Sequence, residues 1–160
     1  MPNKGKTNLV ARVWMAAWMR LAWTPPIWRL ATFMAGLPLN GYKARRSLAM
    51  RHRNGYVSPT ASLSIGHLVS GKHLFIGDRV SVFEHHTGGE IYLGDYVSIH
   101  QDTVIEVGHG GRLQIGDNTH IQPRNQISAY KGSVSIGRCV QIAPACAFYP
   151  YNHETKANSK

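Results

Sequence analysis

The chain has 160 residues, with 18 Lys and Arg against 8 Asp and Glu, and a formal net charge of +10. Residues 1–60 hold ten of the basic side chains (Lys4, Lys6, Arg12, Arg20, Arg29, Lys43, Arg45, Arg46, Arg51, Arg53) and no acidic one, whereas residues 61–160 hold eight of each sign. That division excludes a uniformly basic nucleic-acid-binding domain, and a hydrophobic content of 43% excludes wholesale disorder.

The length allows one domain plus an appendage. No run reaches the roughly 18–20 apolar residues of a spanning helix, because Arg12, Arg20 and Arg29 interrupt the richest stretch. The same arginines, the Pro25-Pro26 pair and the missing small-residue cleavage site argue against a secretory signal. Two cysteines, Cys139 and Cys146, are too few for a disulfide framework and fit free thiols in a reducing cytoplasm. Nothing supplies the further ligands that a zinc site on these two would need, so no metal is expected.

Along the chain, residues 7 or 8 to 23 read as a first helix. Leu9, Val10, Val13, Trp14, Ala17, Trp18, Leu21 and Ala22 recur at three- and four-residue spacing, and Thr7 or Asn8 can cap its start. Pro25-Pro26 stops it, and a second short helix fits residues 27–35, closed by Gly36 and Pro38. Residues 39–55 read as a basic connector with Asn40-Gly41 and Asn54-Gly55 turn signals, completing an N-terminal segment over residues 1–55. Its four tryptophans, Trp14, Trp18, Trp23 and Trp28, are interleaved with Arg12, Arg20 and Arg29. Indole rings and arginines suit a lipid headgroup region, with Trp14, Trp18, Arg12 and Arg20 as the contacts. The competing expectation is that these helices cap the domain that follows, packing on Val57, Leu63 and Ile65.

From Tyr56 the character changes. Ile65-Gly66-His67, Ile76-Gly77-Asp78, Leu93-Gly94-Asp95, Ile115-Gly116-Asp117 and Ile136-Gly137-Arg138 repeat one pattern, their aliphatic residues 11, 17, 22 and 21 positions apart. Within these units runs a six-residue period: Ile76, Val82; Leu93, Ile99, Ile105; Ile115, Ile121, Ile127; Ile136, Ile142, Phe148. Small or β-branched residues follow many of these by four: Val80, Val97, Thr103, Thr119, Val140 and Cys146. A hexapeptide period means a parallel β-helix, in which each hexad gives one strand and one corner and three hexads make a triangular coil. Both recurring positions then point inward, and Gly or Asp after the aliphatic residue suits the corner. Insertions such as residues 106–112 and 130–133 loop out at corners. The histidines His85, His86, His100, His109 and His120 read as outward coil residues rather than ligands, with His100 a candidate for lining an acceptor groove.

On these residues the chain resembles the hexapeptide-repeat acyltransferases, in particular the galactoside and maltose O-acetyltransferase group and its polysaccharide-acetylating relatives, over residues 56–154. In that family a coil of the form aliphatic-Gly-Asp-x-Val-x-Ile-x-Pro-x is followed, one hexad on, by the catalytic histidine. Here Ile136-Gly137-Arg138-Cys139-Val140-Gln141-Ile142-Ala143-Pro144-Ala145 is followed by Phe148 and then His153, 17 residues after Ile136. Arg138 departs from the usual Asp. The fold class expected is all-β, a parallel β-helix of hexapeptide repeats after the N-terminal amphipathic helical segment read above, and the resemblance implies that its coils are left-handed. It implies acetyl transfer from acetyl-CoA to a hydroxyl, on a saccharide or glycan precursor, in a homotrimer with each site between subunits. His153 is the implied general base, suited by an ordinary pKa near ~6.5. The family's active-site asparagine falls on Asn125, and Glu154 is a candidate orienting or substrate-binding group.

The family continues with further coils past its histidine, whereas residues 155–160 are polar and carry no repeat. About four coils are visible, a stack of roughly 20 Å at ~4.8 Å per coil, so a C-terminally truncated acyltransferase is the expectation. A γ-type carbonic anhydrase is disfavoured, because its close histidine pair is four residues apart and no pair here has that spacing. The remaining alternative is a catalytically inactive β-helix that serves as a scaffold or membrane-associated module.

Overall fold

The computed structural model describes residues 9–22, 24, 26–39, 41–86 and 88–150, with only the backbone of Lys43. Three helices come first, α1 (Leu9–Leu21), α2 (Trp28–Gly36) and α3 (Tyr42–Ala49). The proposed cap at Thr7 or Asn8, and Trp23, lie outside the described residues.

The rest is a parallel β-solenoid. Its first turn is β1 (Tyr56–Val57), β2 (Ser62–Ser64) and β3 (His67–Ser70), and its second β4 (Phe75–Ile76), β5 (Ser81–Glu84) and β6 (Glu90–Leu93). The third is β7 (Ser98–Ile99), β8 (Val104–Gly108) and β9 (Arg112–Ile115), and the fourth β10 (His120–Ile121), β11 (Gln126–Tyr130) and β12 (Ser133–Ile136). A fifth begins with β13 (Gln141–Ile142) and β14 (Ala147–Phe148). Every third strand pairs, so the three faces are β1-β4-β7-β10-β13, β2-β5-β8-β11-β14 and β3-β6-β9-β12.

Register stacks like on like. Val57, Ile76, Ile99, Ile121 and Ile142 form one inward column. Such columns fill the prism with aliphatic side chains, and Ile99, Ile105, Ile121 and Ile127 are at most 1% exposed. Each contributes about 1.5–3 kcal/mol by leaving water. The smaller inward positions behave as the hexad period requires: Val80, Val97, Thr103 and Thr119 are buried, and Val140 and Cys146 pack against the same core.

The corners work differently from the expectation that Gly supplies unusual dihedrals there. The left-handed residues are Arg79, Tyr96, Asn118 and Cys139, each two positions after the Gly, with φ between 53° and 59°. Gly94 and Gly116 are needed for close approach instead. A Cβ at Gly94 would strike the backbone of Asp117, and one at Gly116 the backbone of Arg138. The Asp that follows each Gly reaches down one coil. Asp95 Oδ1 accepts the Lys72 N–H at 2.7 Å, and Asp117 Oδ1 accepts the Asp95 N–H at 2.9 Å. Arg138 cannot accept, so the ladder ends there and its guanidinium pairs with Asp117 at 3.3 Å.

One N-terminal expectation is corrected. Within the supposed connector over residues 39–55, α3 forms. The helices meet the first coil chiefly through its outward face, while Trp28 of α2 packs against the solenoid core that contains Val57. Met15, Met19, Ala22, Ala31, Ala35, Leu48 and Ala49 form a second core with the outward rings of Tyr56 and Phe75, with Trp18, Leu39 and Tyr42 packed around it. Trp28 alone of the described tryptophans packs against the solenoid core. In α2 the buried Thr32 hydroxyl is satisfied by the Trp28 carbonyl at 3.0 Å, and the Trp14 indole donates to the Met34 carbonyl at 2.7 Å, tying α1 to α2.

Candidate active site

The motif from Ile136 to Ala145 forms the end of β12, the following corner, β13 and the corner before β14. Ile136 and Ile142 are buried and Phe148 packs against the core, so the hexad phase holds up to the last described strand. His153 and Glu154 lie outside the described residues.

Asn125 sits inside the solenoid and is completely buried. It occupies the inward corner position, two residues before the aliphatic residue of its strand, that Val80, Thr103 and Cys146 take in other coils. Its amide is committed to backbone: Nδ2 donates to the Gln122 carbonyl at 2.6 Å and the Ala143 carbonyl at 3.1 Å, and Oδ1 accepts the Cys146 N–H at 2.9 Å. Asn125 thus clips the fourth coil to the fifth and is not presented to a groove. The spacing that suggested an oxyanion donor coincides with the phase of this inward column.

His100 is also placed differently from the expectation. Its ring, 8% exposed, lies beneath α3, 5.8 Å from Tyr42 and 5.6 Å from Phe75 between centroids, so it lines no open acceptor groove. Of the proposed membrane contacts, Arg12, Arg20 and Trp14 are exposed, whereas Trp18 is half-buried against the helical core.

The polar surface next to β14 carries residues that the hexad pattern did not single out. Glu106, Gln126, Ser128 and Tyr149, with Val104 and Ile127, line a small cavity of about 130 Å³ on the outer face of β8, β11 and β14. Ser128 lies opposite Glu106 in register, and its hydroxyl donates to the Glu106 carboxylate at 3.0 Å. Tyr149 donates to the Gln126 side-chain oxygen at 2.8 Å. A carboxylate, a hydroxyl, an amide and a phenol at one place offer hydrogen bonds of the kind that sugar hydroxyls use. The only sequence signal for this strip is that outward polar residues recur in successive hexads.

A larger cleft of about 380 Å³ lies between α2 and the solenoid, walled by Phe33, Leu37 and Leu39 against Tyr56 and Ser58. Its charges are already paired. Arg45 binds Asp78 at 2.8 Å, Ser58 donates to the same carboxylate at 2.5 Å, and Arg79 makes a two-pronged bond to Asp102 at 2.7 and 2.9 Å. With no uncommitted acid or base, it is a structural seam.

At the third corner His85, His86, His109 and Tyr130 stack edge on edge, with His86 4.6 Å from both His85 and His109. The His109 pKa is held below its ordinary 6.5 by desolvation, then by His86, Lys131 and His85. Among the described residues, no three His, Cys, Asp or Glu side chains are arranged to hold a metal ion. Cys139 is an exposed free thiol and Cys146 a partly buried one.

Compared with protein-family models, with curated proteins and with solved structures, the chain gives no match.

Proposed function

We propose that the solenoid carries an acyltransferase site that moves an acetyl group from acetyl-CoA to a hydroxyl of a saccharide or glycan precursor, with His153 as general base. The observation that supports this most is the parallel solenoid itself. Its phase runs unbroken through Ile136, Ile142 and Phe148, the segment whose spacing to His153 carries the resemblance. In the proposed reaction the imidazole takes the proton as the acceptor oxygen attacks the thioester carbon. The resulting tetrahedral intermediate collapses with cleavage of the carbon–sulfur bond, and the imidazolium protonates the departing thiolate. The polar strip of Glu106, Gln126, Ser128 and Tyr149 is the proposed place where acceptor hydroxyls bind. A homotrimer with sites between subunits, in the cytoplasm where acetyl-CoA is available, belongs to the same proposal.

The test follows free thiol release from acetyl-CoA with saccharide acceptors, alongside calorimetric titration of CoA into the full chain. His153→Ala is expected to lower turnover by about 10²-fold or more while the oligomeric state by light scattering is unchanged. Undiminished turnover removes His153 from the chemistry. A folded protein that binds no CoA overturns the enzyme and leaves a solenoid scaffold.

A further inference from the structure

We propose that the outer face of the α1–α2 hairpin is a docking surface for an anionic lipid bilayer, on which the protein rests without crossing it. The proposal does not depend on acyl transfer, since it concerns residues 9–37 alone.

Both helices bury one side and expose an apolar one. In α1, Met15, Met19 and Ala22 face the helical core, while Val10, Val13 and Leu21 fall on the opposite side. In α2, Ala31, Thr32 and Ala35 face inward and Leu30 faces out, while Phe33 and the capping Leu37 stand at the rim of the cleft beside the solenoid with more than half their surface open. These outward residues are far from marginal: Val10 is 75% exposed, Val13 61%, and Leu30, Phe33 and Leu37 are each above half. A water-facing helix normally carries polar residues there.

The charges say what covers this face. The only charged side chains on α1 and α2 are Arg12, Arg20 and Arg29, all exposed. No described carboxylate forms an ion pair with any of them, and residues 1–60 contain no acidic residue at all. Packing this face on a second copy would bring arginines toward arginines. A bilayer bearing anionic headgroups satisfies both features, taking the aliphatic and Phe33 side chains into its interfacial region and the guanidinium groups against phosphate. Trp14, partly exposed and bonded through its indole N–H to the Met34 carbonyl, presents an apolar ring at the same edge. No described helix is long and apolar enough to cross a membrane, so the contact is interfacial. Met15 and Met19 share one buried core with Tyr56 and Phe75, which joins the hairpin to the solenoid, so the bound protein carries its coils at the surface.

The experiment is flotation of the full chain with phosphatidylcholine vesicles, with and without phosphatidylglycerol, at low and high salt. The wild-type chain is expected to float with the phosphatidylglycerol vesicles and far less with phosphatidylcholine alone. Each of Arg12→Gln, Arg20→Gln and Arg29→Gln should lower the partition coefficient about fivefold, and added salt should act in the same direction. Phe33→Asp and Val13→Asp, on separate helices and both at exposed positions, should abolish flotation while far-ultraviolet circular dichroism stays that of wild type. Three outcomes overturn the proposal: no flotation of the wild-type chain with phosphatidylglycerol vesicles, equal flotation of the folded variants, or a wild-type oligomer in lipid-free solution that Phe33→Asp dissociates. The last would assign the face to a second copy of the chain.

Discussion

Asn125 shows how much one side chain can hold in a solenoid. Corners are where the backbone must leave the sheet hydrogen-bond ladder, so their polar groups need other partners. At the corner that ends with Asn125, Pro123 has no N–H to give, and the Gln122 carbonyl is answered by the Asn125 amide instead. The same amide reaches across to Ala143 and Cys146 in the next coil. One coil earlier the equivalent position is Thr103, whose shorter hydroxyl reaches the Gln122 carbonyl at 3.3 Å. Asn125→Ala would take the amide bonds from the Ala143 carbonyl and the Cys146 N–H and leave the Gln122 carbonyl with the Thr103 hydroxyl alone. With a buried group that loses its partner worth about 1–3 kcal/mol, a loss of about 2 kcal/mol in urea unfolding is expected. Asn125→Asp should be worse at neutral pH, because a carboxylate cannot donate to either carbonyl, and milder in acid, where the protonated form donates once. An unfolding midpoint unchanged in Asn125→Ala would show that the amide does not hold this corner.

The helices show where sequence reading stops. The hexads were legible because each aliphatic residue meets the same residue type above and below, and a column of equals leaves a period in the chain. The first two helices were legible too, through apolar spacing. The third was not, because its inward stripe is Tyr42, Arg45 and Arg46 followed by Leu48 and Ala49, and its polar half imitates a connector between two Asn-Gly turns. What holds it is visible only in three dimensions. Tyr42 accepts the Gln101 N–H at 2.9 Å, Arg45 pairs with Asp78, and Arg46 lies 3.1 Å from the His120 ring. His100, read as a candidate to line a groove, instead packs against Tyr42 of this helix. Burial pushes the Tyr42 phenol up to about 12, so it keeps its proton over the whole working range. A Cβ at Gly77 would collide with the same hydroxyl. Tyr42→Phe keeps the ring packing on Phe75 and deletes the acceptor. It is expected to cost about 1–2 kcal/mol and to speed hydrogen exchange at the Gln101 amide selectively. Uniform acceleration across the solenoid would mean that Tyr42 has no special hold on that strand end.

Across the whole molecule the +10 charge is not shared out. The coils pair their own charges vertically, Arg79 with Asp102, Arg112 with Glu90 and Arg138 with Asp117, each joining one coil to the next. The excess of positive charge therefore stays with the helices, and acid acts on the coils. Hydrogen bonds from Arg79 hold the Asp102 carboxyl below its ordinary 3.8, and those from Arg112 hold Glu90 below 4.5. Backbone N–H groups of Gly89 and Gly66 hold Glu84 below 4.5 as well. A carboxylate with a lowered folded pKa gives stability that is present above its unfolded value and lost as pH falls through the folded one. The histidines act in the same direction in a higher window. His120 is held below 6.5 by desolvation and then by Arg46, and His109 by desolvation and its cationic neighbours, so the unfolded chain takes up these protons first. Stability should therefore be level above neutrality, fall as pH drops below 6.5, and fall again below the ordinary carboxylate range. His120→Gln should shrink the first step, since a neutral amide beside Arg46 binds no proton in either state. Thermal unfolding midpoints measured across this range check both steps. A midpoint that rises between pH 7 and 5 would mean that charging His109 and His120 is not opposed by the fold. The acid loss should also be steeper at low ionic strength, where coils that lose their carboxylate charges turn net positive and repel one another and the basic helices unscreened.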